Sequence, residues 1–249
     1  MRNSIITSLC TPTTGLVVGD SSVDGKWGQS NQVGFSGVNP TDPKYNNPAV
    51  DALILSDSMI WETLTINTNK GVTHGSELSY AFEKGECKMV KVAQGSTGLS
   101  EHWYVGSTLK TTLINHLKRA TNANNYPNRI VRIFQNQWER DTLLLTTANA
   151  YYANMVTFYT DLQNEIGKNI SDVVILLPKA NAYHAITYPI ETAIVKQAIL
   201  DFANNFGAKV INQDDLPLRG DQAHLTSDGY ITLGQREHSQ TLLPNVFSI

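Results

Sequence analysis

The chain has 249 residues, of which 41% are hydrophobic and 16% charged, and a formal net charge of −3. This length can bury a full core in one domain. The small charge of mixed sign argues against nucleic acid or an anionic membrane as partner, and no stretch reaches the roughly 20 apolar residues of a membrane span.

The opening MRNSIITSLCTPTTG is too polar and too interrupted for a secretory signal, which leaves a protein that works where it is made, leaves by another route or has had a leader removed. Cys10 and Cys87 sit in neither a C-x-x-C nor a His-rich setting, so they allow at most one disulfide, imply no metal cluster and read as small apolar residues. GLVVG (15–19) is the first predicted strand. The segment 26–75 follows, rich in Gly, Asn, Pro and Ser and too long for an ordinary loop, with VDALILSDSMIW (50–61) as a short strand or hairpin inside it. Because it follows the first strand, it is expected to help roof a ligand crevice.

Beyond it the chain alternates. GSELSYAFEKG (75–85) reads as a helix, KMVKVA (88–93) as a strand, STLKTTLINHLKRATN (107–122) as a helix and RIVRIF (129–134) as a strand. A long helical run over about 141–167 leads to the strand DVVILL (172–177). A helix ending at Gly207 precedes the strand AKVIN (208–212), and a last helix starts near Thr226. Five β-branched-rich strands linked by helices predict a three-layer α/β/α sandwich around a five-stranded parallel sheet.

Two serines have nucleophile-like settings, Ser21 in GDS and Ser30 in GQSN. A nucleophile on a strand-to-helix turn projects its oxygen at the carboxyl edge of the sheet, close to backbone N–H groups. Ser21 directly follows GLVVG, whereas Ser30 has no predicted strand before it, so geometry favours Ser21. Near the other end, RGDQAHLTSDG sets Asp221 three residues before His224, in the loop after the last strand. A D-x-x-H turn supplies a general base together with the carboxylate that orients it.

G-D-S-x-x-x-G at 19–25 and D-x-x-H-L at 221–225 resemble the first and last motif blocks of the SGNH/GDSL hydrolases, a superfamily of serine esterases and lipases with a flavodoxin-like fold. VAQGSTGLSEHW (92–103) and QWERDT (137–142) are similar to the glycine block and the Q-G-E-S-D block of the sialate O-acetylesterase-like carbohydrate esterases. The resemblance implies Ser21 as nucleophile, His224 as base and Asp221 as its orienting carboxylate. It also implies an oxyanion hole from the backbone N–H groups of Ser21 and Gly95 and the side-chain amide of Gln137. Trp138 stands where the family has glycine, which makes Asn136 the alternative amide, and Ser30 in GQSN is the second choice of nucleophile.

The implied activity is hydrolysis of small acyl esters, foremost O-acetyl groups on carbohydrates, through an acyl-enzyme and without metal or cofactor. The partner is then a small-molecule or glycan ester. The alternatives are a non-catalytic carbohydrate-binding or virion-associated module on the same fold, or a lipase- or thioesterase-like hydrolase. Of the remaining residues, His74, His116 and His238 read as solvated, His102 and Trp103 as candidates to line the pocket with packing against the following helix favoured for Trp103, and His184 as a residue at the substrate edge. Glu139 and Asp141 read as organisers of their block by hydrogen bonding.

Overall fold

A computed structural model describes residues 22–34, 40–65, 75–121, 130–167, 170–244 and 246–249. Its strands are β1 (Ser22–Gly28), β2 (Ala49–Leu55), β3 (Trp61–Leu64), β4 (Cys87–Ala93), β5 (Ile130–Asn136), β6 (Ile170–Leu176) and β7 (Lys209–Ile211). They form one sheet in the order β3-β2-β4-β1-β5-β6-β7, parallel except for β3, which runs antiparallel to β2. Among the described residues the sheet therefore has seven strands where five were expected. β4 to β7 are predicted strands, β2 and β3 are the hairpin predicted at 50–61, which joins the sheet edge, and β1 is the third addition. The predicted strand 15–19 lies outside the described residues, and the first described strand starts at Ser22.

β1 escaped prediction because Asp24, Gly25 and Lys26 break its apolar pattern. Its seven residues are all buried. Val23 and Trp27 face one side, in the larger core with Leu117, Ile133, Tyr159 and Phe202. The charged residues between them point to the other side and are neutralised by partners remote in sequence. Asp24 accepts from Arg132 at 2.7 Å and from Lys84 at 2.7 Å, and Lys26 meets the buried Glu237 at 2.5 Å. A buried charge is tolerable only with such pairing.

The helices are α1 (Ser30–Val33), α2 (Ser76–Lys84), α3 (Leu99–His102), α4 (Thr108–Ala120), α5 (Leu145–Glu165), α6 (Tyr183–Thr187), α7 (Pro189–Phe206) and α8 (Ser227–Thr241). Local chemistry sets their ends. The Ser107 side chain caps α4 by accepting from Lys110 N, and Thr226 caps α8 by accepting from Gly229 N. α7 begins with Pro189 and stops at Gly207 in the left-handed region, φ 72°. α4, α5 and α7 cover the Trp27 face, while α2 and α8 cover the other around Leu78, Tyr80, Phe134, Val174 and Leu233. α8 approaches α2 so closely that a methyl on Gly234 would lie 2.3 Å from Ser76 O.

Sheet register brings the loops of the site level with one another. Gly28 pairs with Ala93 on one side and Asn136 on the other, so the chain leaves β4, β1 and β5 at the same height. β1 is where the order reverses, with β4 and β5 on its two sides, which is where open α/β sheets place ligands. Of the segment 26–75, Gln29 and Ser30 line that edge, and the rest that is described builds β1, α1, β2, β3 and the turn at Pro43–Asn46.

Candidate active site

Gly28 begins the site because no other residue suits it. Its φ is 150°, and a β-carbon would lie 2.1 Å from Asn136 O. The close approach lets Gln29 N donate to Asn136 O at 3.1 Å and Gln94 N to Gly28 O at 3.1 Å, tying three strand ends together. Ser30 follows at once and opens the single-turn α1, which places it on a strand-to-helix turn at the carboxyl edge.

Around this turn lies a cleft of ≈ 360 Å³ lined by Gln29, Ser30, Gly95, Ser96, Glu139, Arg140, Leu143, His184, Ala223 and His224. Gly95 sits beside the serine, its missing β-carbon position being 3.8 Å from Ser30 Cβ. Among the described residues no acceptor takes the backbone N–H of Ser30 or of Gly95. Two unspent donors next to a hydroxyl are suited to a developing oxyanion.

Asp221 and His224 meet as the spacing predicts. His224 Nδ1 is 3.0 Å from Asp221 Oδ2, while Asp221 Oδ1 accepts from Ala223 N and His224 N, each at 3.0 Å. Gln222 makes the turn with φ 53°. Partial burial works to raise the Asp221 carboxyl, but the backbone N–H groups of His224 and Ala223 and the imidazole outweigh it and hold the carboxyl at about 2. The carboxylate is thus charged throughout the working pH range and fixes the ring by Nδ1.

Asn31 joins the serine turn to the histidine loop. Its amide nitrogen donates to Glu139 Oε1 at 3.0 Å and to Ala223 O at 2.9 Å. Its oxygen accepts from Leu225 N at 3.1 Å and from Tyr230 OH at 3.0 Å. Every hydrogen-bonding position of this buried amide is used. Glu139 also accepts from Gln29 Nε2. Burial pushes the Glu139 carboxyl up to about 7 against the lowering effect of the Asn31 donor.

The expected site residues are therefore treated unequally. Asp221, His224 and Gly95 come together on the cleft. Ser21 lies outside the described residues, and Ser22, which follows it in the chain, stands at the amino end of β1, where its hydroxyl accepts from Arg132. Ser30 lines the cleft instead. Gln137 is buried behind the wall, where its amide donates to Thr97 O at 2.6 Å, Asp141 Oδ2 at 3.1 Å and Gln29 Oε1 at 3.2 Å. Neither Gln137 nor Asn136 is among the residues lining the cleft.

Asp141 organises its block as expected, accepting from Leu99 N at 2.8 Å, whereas Glu139 reaches the cleft. Trp138, in place of glycine, is buried with its ring against His184, 6.2 Å between centroids. His184 lines the cleft, and burial lowers its pKa. Trp103 packs in the core on Trp27 and Phe158, while His102 takes a hydrogen bond from Gly98 N away from the cleft. His116, read as solvated, is buried on α4, with Nδ1 at 2.8 Å from Thr112 O. His238 is half-buried, edge-on to Tyr80; His74 and Cys10 lie outside the described residues. Cys87 is a free, buried thiol, which burial pushes up to about 12. Among the described residues no cluster suited to a metal occurs, and no helix is long and apolar enough to cross a membrane.

A family model described as carbohydrate esterase, sialic acid-specific acetylesterase, matches residues 26–242. The match includes GQSN and excludes GDS. No curated protein matches. Among solved structures, a protein from Arabidopsis thaliana superposes with a TM-score of 0.72 at 20% identity, covering 90% of this chain and 98% of that one. NanS does so with a TM-score of 0.71 at 11% identity, over 89% of this chain and 96% of the other. A carbohydrate acetylesterase from Xanthomonas citri gives a TM-score of 0.59 at 13% identity, over 87% of this chain and 55% of the other. Identities this low speak for a shared fold.

Proposed function

Because the chain belongs to the carbohydrate esterases of the sialic acid-specific acetylesterase family, we propose that it removes O-acetyl groups from carbohydrates with Ser30 as nucleophile, His224 as base and Asp221 as orienting carboxylate. The supporting observation is the convergence of Ser30, Gly95 and the Asp221-held His224 on one cleft at the carboxyl end of β1. This reading moves the nucleophile from Ser21 to Ser30, which sits on a strand-to-helix turn, lines the same cleft as His224 and falls within the matched residues.

In this mechanism Ser30 Oγ attacks the acetyl carbonyl while His224, held through Nδ1 by Asp221, takes its proton on Nε2. The N–H groups of Ser30 and Gly95 receive the charge that builds on the carbonyl oxygen. Removing one such donor typically costs about 2.7–4 kcal/mol of transition-state stabilisation. Collapse expels the sugar hydroxyl, protonated by His224, and leaves acetyl-Ser30. A water deprotonated by the same histidine then releases acetate. Gln137 acts one layer back, holding Gln29, the Thr97 carbonyl and Asp141 in place. Acetate release from a panel of O-acetylated glycans, compared with Ser30→Ala, tests this reading. Activity that survives in Ser30→Ala would sink it.

A further inference from the structure

We infer that a side cavity beside the cleft is a second sugar subsite, so that the preferred substrate is an acetylated oligosaccharide or glycoside and not a free monosaccharide. The inference rests on the esterase reading and adds the size of its substrate. The cavity, ≈ 220 Å³, is lined by Glu101, Arg140, Leu143, Leu144 and Thr147. Arg140 and Leu143 also line the cleft that holds Ser30. The two spaces share a wall, and a ligand with its ester at Ser30 can continue across Arg140 into the second.

The wall is built in advance of any ligand. Arg140 stands on the 3-10 turn Arg140–Thr142, which Asp141 ties to α3 through Leu99 N at 2.9 Å. The Arg140 guanidinium is fixed by its Nε, which donates to Glu101 Oε2 at 2.9 Å. Its Nη1 and Nη2 have no acceptor among the described residues. Thr147 Oγ1 is spent on Asp141 O and Leu144 O, each 2.8 Å away, so it shapes the cavity without offering a donor to it.

The lining also favours a sugar over a long acyl chain. A sugar ring has an apolar C–H face and a rim of hydroxyls. Leu143 and the 56% exposed Leu144 suit the first, and the guanidinium with its carboxylate partner suits the second. The side chains of Arg140 and Glu101 are 41% and 36% exposed, so water reaches both. An alkyl chain would strip that water and return no hydrogen bond, at a cost to the ion pair, whereas hydroxyls replace the water they displace.

The test compares a disaccharide and a monosaccharide carrying the same O-acetyl group, on wild type and on Leu144→Trp, which fills the cavity from an exposed position. Wild type should favour the disaccharide in kcat/KM by about tenfold or more, the effect of one good added contact region, and Leu144→Trp should bring the ratio close to unity. Disaccharide binding to Ser30→Ala, with and without Leu144→Trp, should weaken in parallel and needs no turnover. A wild-type ratio near unity, or a ratio and a Kd indifferent to Leu144→Trp, overturns the subsite. A gain for longer acyl chains across p-nitrophenyl esters that Leu144→Trp removes overturns it too, in favour of an acyl pocket. Failure of the esterase reading shows differently, as acetyl ester hydrolysis that does not depend on Ser30.

Discussion

Replacing Asn31 by alanine removes a joint that ties the serine turn to the histidine loop. Four hydrogen bonds are lost at once: to Glu139, to Ala223 O, from Leu225 N and from Tyr230 OH, at 2.9–3.1 Å. At about 0.5–1.5 kcal/mol net per bond the loss comes to roughly 2–6 kcal/mol, and water entering the small void offsets part of it, so about 3 kcal/mol is the working figure. For a chain of this size that lowers Tm by roughly 6–12 °C. The active-site effect should exceed the stability effect, because the Ser30 turn and the Ala223–Leu225 backbone lose their common anchor. kcat on an activated acetyl ester should therefore fall well below wild type at temperatures where circular dichroism shows the variant fully folded. Asn31→Asp separates anchor from charge. It keeps the acceptor for Leu225 N and Tyr230 OH but sets a second carboxylate against Glu139, and such a pair holds a proton more readily. Its activity relative to wild type should improve as pH falls. An Asn31→Ala variant with wild-type Tm and kcat, or an Asn31→Asp deficit independent of pH, would refute the reasoning.

Two further outcomes follow from the carboxylates. Asp221→Asn should lower kcat by about 100-fold or more with KM little changed, since the ring loses the partner that selects its tautomer; the corresponding loss in a fully buried triad is on the order of 10⁴, and Asp221 is partly exposed. Equal loss in KM would point to substrate binding instead. Burial holds Glu139 at about 7 in the folded chain against an ordinary 4.5, so between those values the folded state alone keeps the proton. Its contribution to stability is complete below about 4.5 and is lost as pH rises through about 7. Relative to Glu139→Gln, which cannot titrate, wild type should lose Tm across that window, and a constant difference would contradict the assignment.

Much of the fold was legible because β4 to β7 are short apolar runs and the helices carry their own end signals, such as Ser107, Thr226 and Gly207. The Asp221–His224 turn was legible for a similar reason, since both partners lie within four residues. β1 was not legible. Its Asp24 and Lys26 look like loop residues until Arg132, Lys84 and Glu237 are seen to neutralise them from distant parts of the chain. It also governed the choice between the two serines, because Ser30 looked strandless only while β1 was hidden. Gln137 shows a different limit. Its spacing in the QWERD stretch suggested an oxyanion donor, but whether an amide faces the cleft or the wall depends on Thr97, Gln29 and Asp141 arriving from three loops. His116 misled for the plain reason that a histidine on an amphipathic helix can face either way.

The central claim is that Ser30 is the nucleophile, and covalent labelling tests it most directly. Protein treated with an aryl phosphonate should carry one adduct, mapped by peptide mass spectrometry to Ser30. Ser30→Ala should lose both the adduct and acetate release, and Ser21→Ala should keep both. An adduct on Ser21, or acetate release undiminished in a folded Ser30→Ala protein, would contradict the account.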